Sequence, residues 1–132
     1  MKNINLNREL NIFMKKLKSM PDFHRVKFVF LFGSYSKRDS NIMSDIDIAA
    51  YYEGNSDERF KFRLSLLGKL PDYFDVHILQ YLPIFIQKEV IKGKILYSDD
   101  SDLLFEVSYN IIKRFEDFKK YYYDYIQLEP LR

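Results

Sequence analysis

Cysteine is absent from the 132 residues of the chain, which excludes disulfide bonds and thiolate-bound zinc. No apolar run approaches the roughly 20 residues that a membrane-spanning helix needs. Positive charge is not in excess, because 21 basic residues face 19 acidic ones, whereas unspecific nucleic-acid binding needs a concentrated basic surface. The opening residues, "MKNINLNREL", are polar where a signal peptide is apolar. These absences predict a cytoplasmic protein with no membrane partner and no direct nucleic-acid partner.

Apolar residues are plentiful by contrast. They make up 47% of the chain, and aromatic residues make up 17%. A chain of this length favours one domain, and no repeat or low-complexity linker divides it. We therefore expect a single domain over residues 1–132.

The apolar pattern predicts the element order α-β-β-α-β-α-β-α. Apolar residues at helical spacing alternate with short β-branched and aromatic runs. The predicted elements are a helix over about 5–19, strands over 26–32 and 45–52, a helix ending near Gly68, a strand over 74–80, a helix from Pro83 to Gly93, an edge strand over 94–97 and a long helix reaching about Tyr125. The expected fold class is α/β (α+β), with a mixed sheet of about four strands, helices mainly on one face and a long C-terminal helix.

In two of these helices, the spacing of apolar residues predicts which face is apolar. In the second helix, Phe60, Leu64 and Leu67 are expected on one face. In the C-terminal helix, two series recur in steps of seven, and they consist of Leu104, Ile111, Phe118 and Tyr125 and of Ser108, Phe115 and Tyr122. Such a seam is typical of packing against another helix, so the second half of this helix is expected to dock on a helical partner. The alternative is that the tail folds back on the first helix.

Aspartates interrupt two of the predicted strands. Asp45 and Asp47 are two residues apart and therefore point to the same side of their strand. Asp75 lies level with them if the crossover places the two strands side by side. Buried carboxylates are costly unless they are paired or bind a metal. Three on one face would form a site for a hard cation such as Mg²⁺, and two such ions can clamp an in-line phosphoryl displacement.

A Gly-Ser pair at the end of the first strand supplies a second signal. Gly33 allows a sharp turn and a close approach of a phosphate to the backbone, and the Ser34 hydroxyl can donate a hydrogen bond to a phosphate oxygen. If a short helix follows, its free N–H groups favour an anion. Lys37 and Arg38 are near enough in sequence to neutralise part of a triphosphate.

Each signal has an ordinary explanation when it stands alone. A Gly-Ser pair is usually a turn, an Asp-x-Asp pair is often a strand end or a helix cap, and neighbouring basic residues are most often in a solvated loop. His77 shares the face of Asp75 and can orient that carboxylate or contact a nucleotide, although such a histidine is more often a hydrogen-bonded core residue. The combination at this spacing favours a catalytic site.

The stretch "GSYSKRDSNIMSDID" resembles the signature of the polymerase-β nucleotidyltransferase superfamily, which is Gly-Ser, ten residues and Asp-x-Asp. The segments "FDVHIL" and "PIFIQKEVIKGKILY" are similar to those of its minimal members, the MNT domain proteins. The resemblance covers residues from about 26 to about 120. It implies a polymerase-β-like fold and the transfer of a nucleoside monophosphate from a nucleoside triphosphate to a hydroxyl group.

The resemblance also implies roles for individual residues. Asp45 and Asp47 would bind two Mg²⁺ ions, with Mn²⁺ as an alternative, and Asp75 would complete one ion site and help deprotonate the acceptor. Gly33 and Ser34 would hold the triphosphate of ATP. Relatives often have arginine at the position of Lys37, whereas here Arg38 follows one residue later, so either of the two would contact phosphate.

Many minimal members resemble the antitoxin of MNT/HEPN toxin–antitoxin pairs, which adds AMP to a tyrosine of a helical HEPN ribonuclease. The resemblance therefore implies a HEPN-type toxin as partner and a hetero-oligomer with it. Two alternatives stay open. One is a catalytically silent binding module that neutralises its partner by contact. Such a module would have no use for a carboxylate cluster that costs folding free energy. The other is a transferase for a small molecule, whose relatives usually carry an additional domain.

Overall fold

The computed structural model of the protein describes residues 5–33 and 45–127, without the side chain at position 127. The elements are helix α1 (Leu6–Lys18), strands β1 (Val26–Phe32) and β2 (Ile46–Tyr52), helix α2 (Ser56–Leu67), strand β3 (Phe74–Ile78), helix α3 (Ile84–Ile91), strand β4 (Lys94–Ser98) and helix α4 (Ser101–Gln127). Short 3₁₀ turns precede β1, at Phe23–Arg25, and follow β3, at Leu79–Tyr81. The predicted element order is confirmed.

The four strands form one mixed sheet in the order β3-β2-β1-β4. Strand β1 is antiparallel to both of its neighbours, while β2 and β3 are parallel and are joined through α2. Strand β4 is an edge strand, as the sequence predicted. The mixed four-stranded sheet and the long C-terminal helix agree with the expected fold class.

Helices cover both faces of the sheet. On one face, α1 and α2 pack on a core that includes Phe13 and Leu66. On the other face, α3 and α4 pack on a second core that includes Val90 and Ile111. This corrects the expectation that the helices lie mainly on one face. The physical reason is that β1 alternates large apolar side chains to both sides, so both sides of the sheet must be covered.

The buried face of α2 differs from the predicted one. Phe62 and Leu66 are buried, whereas Phe60 is 57% exposed and Leu64 is 49% exposed. Apolar residues occupy every second position from 60 to 66, so two faces satisfy helical spacing equally well. Packing against the sheet selects one of them and leaves the other on the surface.

The first half of α4 packs on the sheet and the second half does not. Ile111 is fully buried, and Leu104 and Val107 pack around it. Further along, Phe118, Tyr122 and Tyr125 are 42%, 51% and 59% exposed. The helix has 27 residues and is therefore about 40 Å long. It lies on the sheet face opposite to α1, so its described tail does not fold back on that helix.

Within the described part of the chain, no helix is both long enough and apolar enough to cross a membrane.

Candidate active site

Two carboxylates lie side by side on the parallel strands β2 and β3. Asp47 is the register partner of Asp75, and the next pairs along the strands are Ile48 with Val76 and Ala49 with His77. Ile48 and Val76 point into the core beneath α1 and α2. Because side chains alternate along a strand, both aspartates point to the opposite face. The prediction that Asp75 lies level with Asp47 is confirmed.

His77 joins the two carboxylates. Its Nε2 atom lies 3.0 Å from Asp75 Oδ2, a distance at which an imidazole N–H donates to a carboxylate. One ligand atom from each of Asp47, Asp75 and His77 lies within 4.8 Å of the other two. The centroid of the Phe32 ring lies 5.7 Å from that of the imidazole, so an aromatic ring borders His77. The sequence placed His77 on this face but favoured a core role, whereas the structure leaves it only partly buried.

Asp45 has a more peripheral position. It immediately precedes β2 and is exposed. Its carboxylate does not belong to the compact group formed by Asp47, Asp75 and His77, on the residues described. Its negative charge nevertheless acts on Asp47 and contributes to the raised pKa of that residue. The structure thus brings two of the three predicted carboxylates into close contact and keeps the third within electrostatic range.

The pKa of Asp47 is raised above its ordinary value. Partial burial is the main cause, and the negative charge of Asp75 is the next, while His77 acts in the opposite direction. Both main causes disfavour the ionised carboxylate. A cation held between the two aspartates would offset both the cost of burial and the repulsion between the two negative charges. Hard divalent cations prefer carboxylate oxygens. The donor set of this cluster therefore fits Mg²⁺ or Mn²⁺.

Gly33 lies next to the carboxylate of Asp47, where only a glycine fits. It follows the last residue of β1, Phe32, which is the register partner of Asp47. Its φ angle is +79°, in the left-handed region that favours glycine. A Cβ atom at this position would lie 2.5 Å from Asp47 Oδ2. Only glycine leaves room there for the carboxylate and for whatever it binds.

The remaining predicted site residues are Ser34, Lys37 and Arg38, and they lie outside the described residues. Gly33, at the start of that segment, is the part of the predicted phosphate site that the structure describes. It places the beginning of the Gly-Ser segment directly beside the carboxylate of Asp47.

Known proteins share this fold and sequence pattern. Residues 15–102 match the family model described as polymerase beta, nucleotidyltransferase, a range that includes Gly33, Asp47 and Asp75. A Methanocaldococcus jannaschii protein that is named as a protein adenylyltransferase is 34% identical over 93 residues, which are 70% of this chain and 71% of that protein.

Solved structures with the same fold come from toxin–antitoxin complexes. A chain of a toxin–antitoxin crystal structure with AMP-PNP superimposes with a TM-score of 0.68 at 24% identity, covering 89% of this chain and 95% of the other. A chain of the complex between the tri-AMPylated Shewanella oneidensis HEPN toxin and the MNT antitoxin gives a TM-score of 0.66 at 21% identity, covering 92% and 95%. A chain of the MntA–HepT toxin–antitoxin crystal structure gives a TM-score of 0.64 at 21% identity, covering 92% of this chain and 96% of the other.

The family match spans every strand of the sheet, and the M. jannaschii relative aligns over most of both chains. The protein therefore belongs to the polymerase-β nucleotidyltransferase family and is a nucleotidyltransferase.

Proposed function

We propose that the protein transfers AMP from ATP to a tyrosine hydroxyl of a HEPN-type toxin and acts as the antitoxin of that partner. The observation that carries this proposal is the side-by-side placement of Asp47 and Asp75 next to Gly33. A relative named as a protein adenylyltransferase and a fold shared with an MNT antitoxin complex of an AMPylated HEPN toxin support the substrate and the partner.

The proposed assignment of residues is supported by the close approach of Asp47 to Asp75 and to Gly33, and for the other residues by the family resemblance alone. Asp45 and Asp47 would hold two Mg²⁺ ions, with Mn²⁺ as an alternative, and Asp75 would complete one of the two sites. When bound, such ions neutralise the charge that builds up on the phosphate oxygens during transfer. The backbone at Gly33, together with Ser34, would hold the triphosphate, and Lys37 or Arg38 would contact its outer phosphates.

The proposed reaction is an in-line displacement at the α-phosphorus of ATP. The tyrosine oxygen forms a bond to this phosphorus while the bond from phosphorus to the bridging oxygen of pyrophosphate breaks. Pyrophosphate leaves with the electron pair, and the phenolic proton passes to the Asp75 carboxylate. His77, 3.0 Å from Asp75 Oδ2, orients that carboxylate. The chain's own contribution is mainly positioning, which supplies most of the catalysis in this class of reaction.

A silent binding module is the main competing function. Such a module would gain nothing from two adjacent carboxylates, one of which has its pKa raised by burial and by the other. The cluster costs folding free energy unless it binds a cation. Its presence favours an active transferase over a protein that acts by contact alone.

The test replaces Asp47 with asparagine, which keeps the shape and removes the charge. Transfer of AMP from ATP to a co-purified HEPN-type partner is followed by mass spectrometry in the presence of Mg²⁺. We expect a loss of about 100-fold or more, because preorganised electrostatic stabilisation is removed. Asp72→Asn is the matched control, since Asp72 is exposed just before β3 and outside the cluster. Near-normal transfer by the Asp47→Asn variant would contradict the proposed function.

A further inference from the structure

A cavity of about 260 Å³ lies directly beyond the candidate active site. It is lined by Phe60 and Arg63 of α2, His77 and Ile78 of β3, and Tyr81 and Leu82 after β3. Neighbouring residues of a strand point to opposite faces, so a cavity lined by both His77 and Ile78 lies at the edge of the sheet. Strand β3 is an edge strand, and none of these lining residues belongs to β1 or β2.

Two aromatic rings line this edge cavity, and side-chain contacts hold its Tyr81 and Arg63 walls. Phe60 and Tyr81 are 57% and 53% exposed, so both rings present apolar surface to the cavity. Arg59 fixes the Tyr81 ring, since its guanidinium carbon lies 5.4 Å from the ring centroid and its Nη1 lies 3.4 Å from the hydroxyl. Arg63 donates from Nε to the carbonyl of Val76 at 2.6 Å. Half-exposed aromatic rings are typical of binding surfaces.

The edge cavity adjoins the carboxylate cluster at His77. His77 lines the cavity and also contacts Asp75. Across the sheet, the order is Gly33 at the end of β1, Asp47 on β2, Asp75 on β3 and then the cavity. An in-line displacement requires the acceptor to approach from the side opposite to the leaving group. With the leaving pyrophosphate on the Gly33 side, the acceptor enters from the side of β3, where the cavity lies.

We propose that the edge cavity is the subsite for the ring of the acceptor tyrosine, an inference that rests on the proposed function. The tyrosine oxygen then bonds to the α-phosphorus as the bond to pyrophosphate breaks on the far side, and its proton passes to Asp75. The size agrees with a single ring, because a cavity of about 150 Å³ accepts benzene. Whole drug-sized ligands occupy pockets of about 300–1,000 Å³. The competing occupant is the adenine ring of ATP.

The first test locates the two ligands by NMR. Amide spectra of the full chain with Mg²⁺ and a non-hydrolysable ATP analogue are titrated with N-acetyl-L-tyrosinamide, and spectra without the analogue are titrated with adenosine. We expect tyrosinamide to shift the amides of Phe60, Ile78 and Tyr81. If adenosine shifts them instead, or if tyrosinamide leaves them unchanged up to its solubility limit, the proposal is overturned.

The second test uses two variants of α2. Phe60→Ala removes one wall of the cavity, while Leu64→Ala removes a similarly exposed residue, one turn further on, that does not line it. We expect Phe60→Ala to raise the KM for the partner's tyrosine about tenfold, as for the loss of one strong aromatic pair. The KM for ATP should stay unchanged, and Leu64→Ala should behave as wild type.

The outcomes separate this proposal from the proposed function. If the wild-type protein modifies its partner and both variants do so with the wild-type KM, the subsite assignment is wrong while the transferase stands. If the wild-type protein transfers no AMP to the partner, the proposed function fails, and tyrosinamide shifts at the cavity still report whether it binds an aromatic ring.

Discussion

Replacing Gly33 with alanine tests whether the turn after β1 and the carboxylate of Asp47 form one unit. The φ angle of +79° costs an alanine roughly 1–2 kcal/mol of backbone strain. The new Cβ would also lie 2.5 Å from Asp47 Oδ2, so this oxygen has to move. A displacement of about 1 Å in a reacting group can reduce the rate about 100-fold. We therefore expect a moderate loss of stability and a much larger loss of nucleotide transfer.

Two control variants separate these effects. Gly68→Ala places a Cβ at the end of α2, where φ is −66° and the nearest atom would be 3.5 Å away, so neither strain nor a clash arises. Ile48→Val removes one buried methyl group from the face of β2 opposite to Asp47 and costs about 0.5–1.5 kcal/mol. This loss of unfolding free energy is similar to that expected for the Gly33 variant, but the substitution does not affect the carboxylate of Asp47.

The assay combines thermal unfolding with the rate of pyrophosphate release, measured well below the unfolding temperature of every variant. Gly33→Ala should lower the unfolding temperature by about 3–10 °C and the rate by about 100-fold. Ile48→Val should show a comparable thermal shift with a near-normal rate, and Gly68→Ala should change neither. If Gly33→Ala transfers nucleotide at the rate of Ile48→Val, the close approach of Gly33 to Asp47 has no catalytic importance, and our reasoning is refuted.

Three further predictions concern stability, the nucleotide and the partner. Tyr52 donates a 2.6 Å hydrogen bond to Asp22 Oδ2, and burial, followed by this bond, raises its pKa above the ordinary value of 10.0. Because the pKa of Tyr52 is higher in the folded than in the unfolded protein, the hydroxyl contributes its full stabilisation below the unfolded pKa and progressively less as the pH rises above it. Tyr52→Phe should therefore cost about 1–2 kcal/mol of unfolding free energy near neutral pH and less above about pH 10. Urea unfolding of both proteins near pH 7 and pH 11 checks this, and an equal difference at both values would contradict it. Ser34→Ala should weaken ATP binding, measured by calorimetry with Mg²⁺, more than it lowers the unfolding temperature; an unchanged affinity would remove Ser34 from the triphosphate site. Deleting residues 118–132 removes the exposed aromatic tail of α4 and should leave ATP binding intact while partner association and AMP transfer fall together. If the truncated protein binds and modifies its partner at the full rate, the tail is not the docking element.

Local patterns were sufficient to predict the elements of this fold. The run "VKFVFLF" corresponds to β1 as observed, and the helix and strand order follows from apolar spacing and from turn residues. The Gly-Ser and Asp-x-Asp signals also predicted the family, which the family match confirms. These features are local, because periodicity, helix caps and short motifs depend on residues close together in the chain.

The relations between distant segments were decided by the tertiary structure. Phe60 and Leu64 satisfy helical spacing as well as Phe62 and Leu66 do, and only contact with the sheet selects the buried pair. Asp75 and His77 share a strand face by their spacing alone, but only the pairing of β2 with β3 brings Asp47 beside them. The need for glycine at position 33 arises partly from Asp47, a residue on another strand. The sequence by itself thus determined the family and indicated the candidate site residues, and packing determined which of these residues meet, because distances between strands and rotations of helices are set by the whole core.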